Sequence, residues 1–162
     1  MCGIVGIINL SNFEEFEQIF LENMTNTMFH RGPDEWSTFK DSNIAFGHRR
    51  LKIIDLSVLG KQPMFDITNN VCITFNGEIY NYAEIKEELL KKGYQFRSNS
   101  DTEVILNSYI EYGIDCINKF IGMFAFAIYD KRNSKVFIAR DRLGIKPLYY
   151  SNFDGRLIFA SE

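Results

Sequence analysis

Apolar and polar positions along the chain fall into short blocks separated by turn chemistry. Gly3 to Asn9 is a run apolar enough for a buried strand. Ser11 or Asn12, followed three residues later by Glu14 or Glu15, reads as a capping box that opens a helix. Phe13, Phe16, Phe20, Met24 and Met28 recur at helical spacing and predict its apolar face. His30-Arg31-Gly32-Pro33-Asp34 then breaks it. Trp36 to Phe39, Asn43 to Arg49 and Val71 to Phe75 read as strands, with a short apolar run, Ile53 to Leu56, before a Gly60/Pro63 loop. Asn81 with Glu84 predicts a second helix that turns Ile85 and Leu89 inward and ends at Gly93. Ser100 with Glu103 repeats the signature for a third, ending near Gly113. Gly122 to Tyr129, Lys135 to Ala139, Leu148 to Ser151 and Leu157 to Ala160 complete the strands, Asp130 to Ser134 being a hairpin connection.

About eight strands joined mainly by tight turns, with about three helices, predict an α+β fold of antiparallel sheets carrying helices on their outer faces. The 162 residues suit one domain, and fifteen Phe can fill a core without disulfide staples. A net charge of −3 with both signs interspersed offers no basic stripe for nucleic acid. No apolar run nears the roughly 18 to 20 residues of a membrane span, and no secretory signal opens the chain, so the expected compartment is the cytoplasm. Cys2, Cys72 and Cys116 are odd in number and far apart, which suits neither a disulfide framework nor paired metal ligands. With only His30 and His48 beside them, no metal site is expected. Cys72 and Cys116 sit in apolar surroundings as small hydrophobes; Cys2 stands out by its place.

An initiator Met is readily removed before a small residue, which would expose Cys2 as the terminus. A thiol is mostly protonated at neutral pH and needs a base. An α-amine, with a pKa of about 7.7 to 8.0, is one carried on the same residue. A Cys–His pair is the competing arrangement, but neither His30, in a turn, nor His48, on a strand, has a supporting local signature. Asn76-Gly77 offers a side-chain amide and a backbone N–H for an oxyanion, or else a plain hairpin turn, for which Asn-Gly is a strong signal. Arg50 suits a substrate carboxylate and Asp101 with Glu78 an ammonium. Arg50 is equally readable as a surface ion-pair partner, and Asp101 as an acid favoured in a first helical turn.

Together the segments resemble the class II glutamine amidotransferase domain, most closely the N-terminal glutaminase domain of glutamine-dependent asparagine synthetases. The resemblance rests on Met1-Cys2-Gly3-Ile4, the His30 to Asp34 segment, Gly47 to Asp55, Gln62-Pro63-Met64 and Phe75 to Asn81. It continues through Ser100 to Ile105, Gly122 to Asp130, Ala139 to Tyr150 and Phe159 to Glu162. It implies a four-layer αββα N-terminal-nucleophile hydrolase sandwich with two antiparallel sheets. It further implies Cys2 as nucleophile with its own amine as base, Asn76 and Gly77 as oxyanion hole, and Arg50 on the glutamine α-carboxylate. Glu78 and Asp101 would hold the α-amine, and backbone near Leu51 and Ile53 would complete the pocket. The implied reaction is glutamine hydrolysis through a γ-glutamyl thioester, feeding ammonia to aspartate.

Other acceptors, another amide substrate, and a non-catalytic glutamine-binding module if Met1 stays are the alternatives. The domain itself would need no cofactor. ATP and Mg would belong to a C-terminal synthetase domain in cis, expected to begin shortly after Glu162, and no phosphate-binding loop is present in these residues. A homodimer is compatible with the resemblance.

Overall fold

A computed structural model describes residues 1–9, 16–153 and 155–162. Among them are β1 (Gly3–Asn9), α1 (Phe16–Thr27), β2 (Glu35–Asp41), β3 (Ile44–Arg50), β4 (Met64–Phe65) and β5 (Val71–Ile79). α2 (Tyr82–Lys91), α3 (Asp101–Tyr112), β6 (Gly122–Asp130), β7 (Lys135–Arg140), β8 (Tyr149–Phe153) and β9 (Arg156–Ala160) follow. One sheet runs β2-β3-β1-β9-β8 and the other β4-β5-β6-β7, each with antiparallel pairing throughout.

Three apolar layers hold four structural layers together. Val5, Ile7 and Ala45 meet Leu21 of α1 and Met28 just after it on one side of the five-stranded sheet. Its other side presents Ile4, Ile44, Phe46 and Phe159 to Cys72, Ala125 and Ala127 of the second sheet. Beyond that, Ile73, Phe75, Phe126 and Ile128 pack under Ile85, Leu89, Val104 and Ile105 of α2 and α3. The architecture is the expected α+β, αββα sandwich. β1 reads as unbroken apolar sequence because alternate residues enter two different layers, so both its faces are covered. Phe46 and Phe159 meet edge to face at 5.8 Å across the inter-sheet layer.

Several local expectations needed another cause. The helix start at Ser11 or Asn12, with Glu14, Glu15 and Phe13, lies outside the described residues. Leu21 and Thr25 of α1 are buried, as is Met28 just past its end, while Phe20 is 45% exposed. The approach of α1 to β3 selects that face, since a Cβ on Gly47 would stand 2.0 Å from Thr25 Oγ1. Asn81 precedes α2 without capping it: its amide donates to the Lys119 carbonyl and accepts from the Ile121 N–H, tying α2 to the entry of β6. Ser100 caps α3 by accepting from Thr102 N–H at 3.0 Å. Glu103 does not reciprocate; it accepts from the Arg97 and Ser98 amides instead.

Asn76-Gly77 is no turn, for β5 runs straight through it. Glycine is required there by closeness, as a Cβ would stand 2.3 Å from the Met123 carbonyl oxygen of β6. The Ile53 to Leu56 run forms no strand and leaves both named residues about two-thirds exposed, at 68% and 69%.

Gly6 faces the inter-sheet layer, where a Cβ would come within 2.2 Å of the Phe159 ring. Gly6→Ala is expected to displace that ring and to destabilise the fold by about 1–3 kcal/mol. Urea unfolding monitored by circular dichroism measures it, and an unchanged midpoint would contradict the packing described.

Candidate active site

The inner-facing positions of β1, β3 and β5 carry the apolar inter-sheet core in mid-strand and turn polar toward one end. Cys2 lies two residues before Ile4, Arg50 two after His48 and four after Phe46, and Asn76 and Glu78 follow Cys72 and Thr74. Gly3 pairs with Arg49, so Cys2 arrives beside Arg50 and Leu51. Cys2, Arg50, Leu51, Ile53, Asn76, Gly77, Glu78 and Asp101, each singled out from sequence, line one cavity of about 160 Å³. Gln62, Asp55 and Lys146 line it too; sequence reading placed them inside motifs without giving them a role.

The Leu51 N–H donates to Cys2 Sγ at 3.4 Å, and the thiol faces the Leu51 carbonyl at 3.7 Å. Burial pushes the thiol's pKa above its ordinary value, opposed by the Leu51 amide, the positive N-terminus and Arg50. Arg31 Nε donates to the Cys2 carbonyl at 3.0 Å, anchoring the backbone on which the thiol is carried.

Arg50 is 5% exposed, so it is no surface ion-pair partner. Its Nη1 donates to Glu35, directly opposite on β2, and to the Ser57 carbonyl, both at 2.9 Å. Its Nη2 donates to the Asp55 carbonyl. Three of the five guanidinium donors are thus engaged, and two are left for a carboxylate. Gly60 makes the room: a Cβ there would stand 2.1 Å from Nη2.

The free edge of β5 organises the opposite wall. Both backbone groups of Phe124, which pairs in register with Gly77, are taken by Asp141. Phe75, Gly77 and Ile79 therefore turn their N–H groups away from β6, toward the edge that the two-residue β4 leaves open. Gln62 Oε1 accepts the Phe75 N–H at 2.6 Å, and Asp101 Oδ2 accepts the Ile79 N–H at 3.1 Å. The Gly77 N–H between them faces the cavity. Beside it, Asn76 Nδ2 is a buried donor with no partner, which calls for an acceptor.

Asp101 is buried at the first turn of α3, and its pKa is raised to about 6. Burial is the main cause, with the Glu78 charge adding to it, while the Ile79 and Thr102 amides oppose both. Two carboxylates lining one cavity suit a cation.

The histidines stand elsewhere. His30 is exposed and pairs with Glu162 at 2.9 Å. His48 is fully buried with Nε2 3.1 Å from the Phe75 carbonyl, and its pKa is lowered to about 3, mainly by burial. Neither lines the cavity. Cys72 and Cys116 are fully buried and their thiols are pushed up in pKa, Cys116 to about 12. Among the described residues no three His, Cys, Asp or Glu side chains gather as a metal site, and no helix is long and apolar enough to cross a membrane.

A family model described as "Glutamine amidotransferase domain" matches residues 1–162. Over its whole length the chain is 46% identical to asparagine synthetase [glutamine-hydrolyzing] 2 of Bacillus subtilis, of which it covers 22%. It is 41% identical to a putative asparagine synthetase of Methanocaldococcus jannaschii, covering 34% of that protein. The chain thus spans between about a fifth and a third of these relatives' length. Among solved structures, glutamine phosphoribosylpyrophosphate amidotransferase of B. subtilis superposes with a TM-score of 0.81. That match is 22% identical and covers 99% of this chain and 42% of the other, a likeness of fold. With its full length matched by the family model, the chain belongs to the glutamine amidotransferase domain family.

Proposed function

We propose that this domain hydrolyses L-glutamine to glutamate and ammonia through a γ-glutamyl thioester on Cys2. The observation that carries the reading is the meeting, in one cavity, of the Cys2 thiol with the unpartnered Asn76 amide donor, a buried guanidinium and two carboxylates. Met1 is first removed, freeing the Cys2 α-amine. That amine takes the thiol proton, and the thiolate attacks the side-chain amide carbon of glutamine. Asn76 Nδ2 and the Gly77 N–H donate to the developing oxyanion. Collapse of the tetrahedral species breaks the C–N bond, and the protonated amine returns its proton to the departing ammonia. Water then cleaves the thioester by the same route, releasing glutamate and the thiol.

Arg50 holds the substrate α-carboxylate through its two remaining donors, while Asp101 and Glu78 hold the α-ammonium. Backbone at Leu51 and Ile53 closes the pocket. Substrate recognition thereby uses only the amino-acid end, leaving the amide to the thiol.

In the complete protein we assign the ammonia to asparagine formation from aspartate and ATP, in a synthetase domain in cis beyond Glu162. The identities of 46% and 41% to the B. subtilis asparagine synthetase and the putative M. jannaschii one support this acceptor over a sugar or another amide-forming substrate. ATP and Mg chemistry would reside in that other domain.

Cys2→Ala is expected to abolish glutaminase turnover while retaining glutamine binding by calorimetry; undiminished turnover would sink the mechanism. Intact mass should show Met1 absent from the active protein. Asn76→Ala should lower kcat by about 10²–10³ with a smaller change in KM, since its amide acts on charge that exists only in the transition state. Asp101 binds an ammonium as the carboxylate, which is lost as pH falls through about 6. Glutamine binding to the Cys2→Ala protein should therefore weaken below that pH, by up to about tenfold per unit. Asp101→Asn should bind weakly at pH 7.5 and show less of this dependence; an unaltered pH profile would remove Asp101 from ammonium recognition.

A further inference from the structure

The connection between β7 and β8 reverses the ordinary sorting of side chains. Leu143 and Ile145 are 85% and 54% exposed, whereas Lys146 beside them is 5% exposed and lines the cavity that holds Cys2. A lysine enclosed while its apolar neighbours stand in water needs a cause. The backbone enforces the arrangement. The Asp141 carboxylate accepts the N–H groups of Phe124 and Leu143 at 3.2 Å and those of Ile145 and Lys146 at 2.9 Å. Arg140 donates to the carbonyls of Lys146 and Gly144, each at 2.6 Å. Gly144 has φ +65, and its missing Cβ leaves space for the Arg140 guanidinium. Lys146 is thus held on both sides of its peptide, with its side chain sent inward.

Inside, the Lys146 ammonium meets Met1 Sδ at 3.0 Å, a weak acceptor for a full charge. The other cations near Cys2 have carboxylate partners: Arg31 pairs with Glu162 at 3.4 Å, and Arg50 with Glu35 at 2.9 Å. His30 also faces Glu162. Asp55, Glu78 and Asp101 also line the cavity. On the glutaminase reading, the Met1 side chain is moreover the part that leaves before catalysis.

We propose that Lys146 is a positioning residue for the mature terminus: after Met1 leaves, its ammonium faces the new α-amine of Cys2 and keeps it in the neutral, proton-accepting form. The inference rests on the glutaminase reading and deepens it. An α-amine at its ordinary pKa is mostly protonated at pH 7, and each half unit of lowering raises the neutral fraction about threefold. A nearby like charge lowers it in that direction. The same charge makes the amine, once it has accepted the thiol proton, a readier donor to the departing ammonia.

The test titrates the terminal amine directly. In the full-length protein carrying Cys2→Ala, so that no thiol competes, the pH dependence of N-terminal acetylation is followed by mass spectrometry of the terminal peptide. K146Q and K146M are expected to raise the amine's midpoint by about half a unit or more, and K146R to keep it. With Cys2 present, the acidic limb of kcat/KM should move up by the same amount in K146Q and K146M. An unmoved midpoint in folded K146Q, verified by thermal melting, overturns the inference. Should K146Q and K146M fail to fold, a raised midpoint in K146R, which keeps the charge, overturns it and an unmoved one supports it. Absence of glutamine turnover in the processed Cys2 protein at every pH would instead overturn the glutaminase reading.

Discussion

Side chains two apart on a strand share a face, and in β1, β3 and β5 one of those faces looks into the layer between the sheets. The antiparallel register sets Gly3 against Arg49 and Glu35 against Arg50. Those two facts bring the thiol, the guanidinium and the Asn76 amide to the same end of one layer. A slip of one residue in β3 would turn Arg50 toward α1 and His48 with it. Ile4 and Phe159, packed with Phe46 between the sheets, resist that slip because it would withdraw Phe46 from the layer and bring Ala45, Gly47 and Arg49 to its face.

The layer's dryness gives its polar end leverage. Arg50, Asn76 and Asp101 are each no more than 5% exposed, so little water competes for their interactions. Arg50 is tolerated there because a carboxylate and two carbonyls meet it. Asn76 carries an unmet donor instead, and Asp101 an ionisation made unfavourable by burial. Unmet polar groups are a cost to folding and a resource for binding, since a substrate supplies the partners the protein withholds.

Fold and site were legible to different depths. β1 and the apolar strands β5 and β6 stand out because their periodicity is dictated by burial on both sides. The spacing of Phe20 points it inward, yet it stands exposed, because aromatic spacing alone does not say where Gly47 lets the helix approach. Asn76-Gly77 carries a genuine local turn preference that tertiary pairing with β6 overrides. The thiol, guanidinium and carboxylates of the site were visible as residue types, and the family resemblance brought them together. The supporting bonds were not visible: Gln62 reaches thirteen positions along the chain to Phe75 and Arg31 twenty-nine to Cys2, through contacts that no local pattern encodes.

The row of three amides on the edge of β5 has a consequence for when the site exists. Its outer members are covered by Gln62, from the segment before β4, and by Asp101, from the start of α3. The middle one, turned the same way by the register with β6, is the one left for the cavity. Donors of this kind are assembled from distant stretches of polypeptide, so a chain that has made its local hairpins still lacks them. Until the whole sandwich closes, Cys2 has neither its electrostatic cradle nor a dry floor beneath it. The architecture acts as an interlock in which chemical competence is withheld from every partly folded form.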